Sequence, residues 1–127
     1  MSVATDASVS GLGATTLSPI HREVFEYWSG EELTWDIATK EAMAINKMLW
    51  FCRDQVCNAR VDALVDNQAV IHVCNNQGGR SAPLNNALKV LFATTSELNV
   101  LLRLSYVRSA ENPADGSSRH QIGRAHV

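Results

Sequence analysis

The feature that most restricts this chain is a stripe. Over residues 37–52 the side chains Ala38, Glu41, Ala42, Ile45, Met48, Leu49 and Cys52 recur at steps of three and four, the repeat of a helix that lays one face on a core. The segments before it have a different rhythm. Residues 2–5 read as a short strand running into the turn-rich "DASVSG", "LGATTL" as a second strand making a hairpin with it, and "REVFEYW" as a third before "SGEEL" breaks the pattern. After the stripe, "ARVDALVD" reads as a strand and "NQAVIHVCNNQGG" as a helix stopped at Gly78 and Gly79. "APLNNALKVLFATTSEL" gives a further helix with Pro83 in its first turn, and "VLLRLSYV" a last strand. In "NPAD", Asn112 reads as the N-cap of a closing helix with Asp115 in its first turn. Three strands, a helix, a strand, two helices, a strand and a helix predict an α/β layered domain on a mixed sheet.

A chain of 127 residues is one domain's worth and buries roughly two thirds of its unfolded surface in a single core. It carries no apolar run near the ~18 residues of a membrane span and no basic-then-apolar leader, so a soluble intracellular chain with no membrane partner is expected. The formal net charge of -2 advertises no general attraction to nucleic acid. Cys52, Cys57 and Cys74 are read as reduced thiols packed as small hydrophobes. A zinc set of Cys52, Cys57, His72 and Cys74 lacks finger spacing and is disfavoured.

Both ends carry an expectation of their own. Asp6 comes so early that a piece of a longer polypeptide is expected, with residues 1–120 as the domain. "QIGRAHV", residues 121–127, is what a common sequencing-library adapter yields on translation, so it is set aside as a non-native tail.

Most of the acidic residues suit a solvated face, but four call for more. Asp6 follows an apolar strand, Glu41 lies on the helical stripe, Asp66 ends a strand, and Asp115 opens the last helix. Taken singly, Asp6 and Asp66 fit turns or caps, and Asp115 fits the helix dipole. Glu41 fits nothing local. An ionised carboxylate on a packed helix face costs several kcal/mol unless a cation meets it, and Lys40 and Lys47 point away from the stripe. If the four converge, each like-charged pair 4 Å apart costs about 4 kcal/mol at an effective dielectric of 20. Bound cations make such a cluster sensible. All-oxygen donors select Mg²⁺ or Mn²⁺, and two such ions suit phosphodiester hydrolysis.

"TDASVSGLGA", "IATKEAMAI", "VDNQAVIHVCNNQGGRS" and "NPADGSSR" stand in an order and spacing that resemble the ribonuclease H domain following the reverse transcriptase in retroelements. The likeness spans residues 2–119 and is greatest to DIRS-type tyrosine-recombinase retrotransposons. It implies a ribonuclease H-like three-layer α/β fold, a five-stranded mixed sheet flanked by helices, and hydrolysis of the RNA strand of RNA/DNA hybrids with two Mg²⁺ ions, Mn²⁺ substituting. Matched motif by motif, the family's metal-binding tetrad falls on Asp6, Glu41, Asp66 and Asp115. The resemblance implies that Asp6 bridges both ions, Glu41 and Asp66 hold one, and Asp115 helps hold the other. One ion then orients the attacking water and the other steadies the departing 3′ oxygen.

For the hybrid, Asn67 and Gln68 are candidate donors to 2′-hydroxyls. Arg80 and the backbone amides of "NNQGGRS" are candidates for phosphate, with a plain helix cap as the alternative. No basic helical extension follows Asp66, and no histidine is placed as a proton shuttle, so hybrid binding is expected to lean on the reverse transcriptase domain of the same polyprotein. Two other readings stand beside the nuclease. A non-catalytic module of this fold would brace the polymerase on template-primer, although no tetrad carboxylate is lost. An ATPase of the same broad fold would need a phosphate loop that Gly11 and Gly13 do not supply.

Overall fold

The computed structural model describes residues 1–18, 22–76 and 78–114. Strand β1 (Ser2–Ala7) returns through a tight turn as β2 (Gly11–Ser18), and β3 (Arg22–Tyr27) follows. A 3-10 turn (Gly30–Thr34) leads to helix α1 (Ile37–Phe51) and a short α2 (Arg53–Val56). Strand β4 (Arg60–Val65), helices α3 (Gln68–Asn75) and α4 (Ala82–Leu98), and strand β5 (Leu101–Tyr106) complete the described elements. The sheet runs β3-β2-β1-β4-β5. Its first three strands are antiparallel, whereas β4 runs parallel to both β1 and β5. This is the mixed five-stranded sheet that the order of elements predicts.

One face of the sheet and the helices share a single core. Val3, Ala7, Leu12, Ala14, Val61, Ala63 and Val65 meet Ala42, Ile45, Met48 and Leu49 of α1, with Leu88 and Leu91 of α4 behind them. From Ala42 to Cys52 the apolar members of the stripe are therefore buried as its period requires, with Ala38 partly buried at its start. Burying a Leu or Ile side chain contributes roughly 1.5–3 kcal/mol, which fixes α1 across β1 and β2. Asn46 and Thr94 bond to each other between α1 and α4, and Trp50 Nε1 donates to Thr94 Oγ1 at 3.1 Å, so these three polar side chains of the interface are matched.

The structure departs from the sequence reading in three places. First, β1 continues to Ala7, so Asp6 lies within the ladder opposite Gly13 rather than in the turn. The turn is tighter than "DASVSG" suggests: Ser8 N donates to Gly11 O at 2.8 Å, and Ser8 Oγ bonds the same carbonyl. Gly11 is required there, since a Cβ would stand 2.6 Å from Glu26 O of β3. Second, α3 stops at Asn75, short of the glycines, and Gly78 N closes on Val73 O at 2.9 Å. Third, α2 appears where no periodic signal announces it. The closing helix expected from Asn112 onward passes, after Ala114, outside the described residues, as do Asp115 and the 121–127 tail. Among the described residues, no helix is long and apolar enough to cross a membrane.

Candidate metal centre

Asp6 and Asp66 come from the C-terminal ends of the neighbouring parallel strands β1 and β4. Their ladder stops at Ala4 and Leu64, so the carboxylates project where the strands part. Glu41 comes down from the first turns of α1. That helix starts where it does because Asp36 Oδ1 accepts from Thr39 N at 2.9 Å, a side-chain cap that sets the rotation of everything after it. One oxygen each from Asp6, Glu41 and Asp66 lie within 4.8 Å of one another. Asp6 and Glu41 are only 5% and 3% exposed.

Ala7 N donates to both Asp6 Oδ1 (3.0 Å) and Glu41 Oε1 (3.3 Å), so a single amide orients two carboxylates. Glu41 Oε2 is buried with no hydrogen-bond partner. Burial, followed by the negative charges of Asp6 and Asp66, pushes the Glu41 carboxyl up to about 9, with the Ala7 amide pulling the other way. A buried acceptor without a donor, facing two like charges, is what a cation-binding shell looks like before its ion is counted. The donors are all hard oxygens, which fits Mg²⁺ or Mn²⁺. Of the four carboxylates singled out in the sequence, the structure brings these three together, and Asp115 lies outside the described residues.

Lys40, beside Glu41 in sequence, gives no counter-charge to the cluster. It is nonetheless buried, at 3% exposure, with Nζ 2.9 Å from Val9 O and 3.4 Å from Leu33 O. The ammonium thus ties the β1–β2 turn and the 3-10 turn to α1. Nothing in the sequence announces it, because a lysine next to the stripe ordinarily reads as solvated. Lys47 instead pairs with Glu32 at 3.0 Å and Glu26 at 3.5 Å.

The other candidate residues lie around the loop after β4 and the loop after α3. Asn67 Oδ1 caps α3 by accepting from Val70 N at 3.1 Å, which leaves its carboxamide hydrogens out of the cap. Gln68 and Arg80 are exposed. Gly79 N donates to Asn85 Oδ1 at 2.9 Å and Gly78 N to Val73 O, so both amides are spent on the flanking helices α4 and α3. His72 is exposed and bonds Asn76 at 3.0 Å. All three cysteines are free, burial pushes the Cys52 and Cys74 thiols up, and none belongs to the metal-ligating group found among the described residues.

The sequence matches no family profile and no curated protein. Solved structures do match. A ribonuclease H1 isolated from compost by a metagenomic approach superposes with a TM-score of 0.76 at 16% identity, covering 99% of this chain and 97% of that one. The ribonuclease H1 of the halophilic archaeon Halobacterium salinarum gives 0.76 at 13% identity, over 97% of each chain. The compost enzyme in complex with an RNA/DNA hybrid gives 0.70 at 14%, over 99% of each. Likeness over whole chains at such low identity is likeness of architecture, and this chain therefore has the ribonuclease H-like α/β fold.

Proposed function

We propose that this chain is a metal-dependent endonuclease that hydrolyses the RNA strand of RNA/DNA hybrids during retroelement reverse transcription, beside a reverse transcriptase domain of the same polyprotein. The observation that carries the reading is the meeting of Asp6, Glu41 and Asp66 within 4.8 Å, with Glu41 Oε2 unpartnered. These three would hold the divalent ions, Mg²⁺ with Mn²⁺ as substitute, and Asp115 would join them from the segment after Ala114. A bound pair of such ions supplies an activated water and relieves charge at the departing oxygen.

The chain's own residues do the rest by position. The Ala7 amide fixes the Asp6 and Glu41 carboxylates before any ligand arrives, so little reorganisation is left for the reaction. Asn67 follows Asp66 directly, which puts a carboxamide donor one residue from the cluster, where a ribose 2′-hydroxyl would distinguish RNA from DNA. Gln68 would add a second donor there, and Arg80 would take a backbone phosphate. The compost ribonuclease H1 caught with RNA/DNA hybrid supports this substrate class by analogy of fold.

The test is cleavage of end-labelled RNA/DNA hybrid in Mg²⁺ by the wild type and by Asp66→Asn. The expected result is cutting of the RNA strand by the wild type, with rates at least about 100-fold lower for the variant, the scale on which removing one charge-stabilising group acts. Equal cleavage by both overturns the site. No cleavage by either favours the bracing module.

A further inference from the structure

Lys40 is 3% exposed, yet both acceptors found for its ammonium among the described residues are backbone carbonyls, Val9 O at 2.9 Å and Leu33 O at 3.4 Å. A buried charge met by neutral dipoles is a costly way to fill that place, and a methionine of the same length would serve the packing at less cost. What the ammonium supplies and a methionine does not is a tether.

That tether ends close to the carboxylates. Val9 lies at the tip of the β1–β2 turn, two residues beyond Ala7, whose amide is shared by Asp6 Oδ1 and Glu41 Oε1. Lys40 and Glu41 are consecutive in α1, so one turn of helix takes hold of the same short loop twice, Glu41 at its start and Lys40 at its tip. The Val9 side chain is 81% exposed, so packing of that side chain does not seat the tip. From the other side, Trp28 Nε1 donates to Ser8 O at 3.0 Å and Trp28 N to Ser10 O at 2.9 Å. Three successive carbonyls, those of Ser8, Val9 and Ser10, thus accept from outside the turn. Trp28 anchors it to the end of β3, whereas Lys40 anchors it to the helix that carries Glu41.

We propose that Lys40 is a positioning residue for the metal centre: by holding Val9 O it keeps the turn against α1 and so fixes the Ala7 amide between Asp6 and Glu41. The proposal rests on the metal-dependent reading above.

Lys40→Met keeps the length of the side chain and removes the donor. Free of metal, the variant should melt at or above the wild-type temperature, since an ammonium leaves the interior. It should nonetheless bind Mn²⁺ about 10- to 100-fold more weakly in calorimetric titration, the scale on which loss of an orienting partner acts. Its Ala7 amide should exchange with deuterium at least about 10-fold faster than in the wild type, with the amides of β4 unchanged. Mn²⁺ binding at wild-type strength, an unchanged Ala7 exchange rate, or a melting temperature that falls together with the affinity overturns the proposal. Lys40→Gln, whose polar end is one atom too short for Val9 O, takes its place and is read the same way should the methionine variant not fold. If the wild type binds Mn²⁺ yet leaves hybrid uncut, the nuclease reading fails while the comparison still decides the role of Lys40. If the wild type binds no Mn²⁺, both fall.

Discussion

Glu41 is held in a condition that water would not choose. Removed from solvent and set against Asp6 and Asp66, its carboxyl titrates near 9 when no ion is present. In the unfolded chain it titrates near its ordinary value, so between the two the metal-free folded state binds the extra proton. Its contribution to stability is full below the unfolded value and is lost as pH rises through the folded one. The metal-free protein should therefore lose stability from about pH 4.5 to 9, at up to about 1.4 kcal/mol per pH unit, the most one proton allows. Glu41→Gln should flatten that slope in denaturant melts, and an unchanged slope would clear Glu41 of the effect. Mn²⁺ affinity of the wild type should climb over the same range, since the ion needs the proton gone. The stripe makes the burial of Glu41 legible in the sequence. Its partners Asp6 and Asp66 are legible only through the resemblance of their motifs, because they reach it through the parallel pairing of β1 and β4, which no local pattern encodes.

At the level of elements, α3 is where the proposed recognition of hybrid meets a structural role. Asn67 caps it through Oδ1, which leaves its Nδ2 hydrogens out of the cap. Asn67→Ala should cost about 1 kcal/mol of stability and also reduce hybrid affinity. Asn67→Ser, which keeps an N-cap oxygen, should restore the stability and leave the affinity reduced. Full recovery of affinity with serine would limit Asn67 to capping. Helix α4 and strand β5 are plain in the sequence because each has clear punctuation, Ser81 before and Pro83 in the first turn of the one and Asn99 between the two. The end of β1 is not plain. Asp, Ala and Ser read as turn formers, and only the pairing with Gly13 and the burial of Asp6 keep the strand going. The buried ammonium of Lys40 is hidden for the same reason, since the carbonyls that hold it come from two separate turns.

For the whole molecule, the fold gathers negative charge in one place on a chain that is already net acidic, at -2. On the proposed function, such a molecule would draw a polyanion only through local contacts, with divalent cations turning its acidic centre into an attractive one. The alternation of strand and helix makes the architecture readable, and the likeness to ribonuclease H1 structures at 16% identity or less shows that the architecture tolerates nearly complete change of sequence. What the whole fold adds is convergence: three carboxylates far apart along the chain meet at the carboxyl ends of two parallel strands. The most direct measurement of that claim is the melting midpoint of metal-free wild type and Asp6→Asn as Mn²⁺ is added at fixed pH. The wild type should gain about 2.7 kcal/mol when Mn²⁺ reaches a hundred times its dissociation constant, and Asp6→Asn should gain far less. A wild type that melts at the same temperature with and without Mn²⁺, or a variant that gains as much, would contradict it.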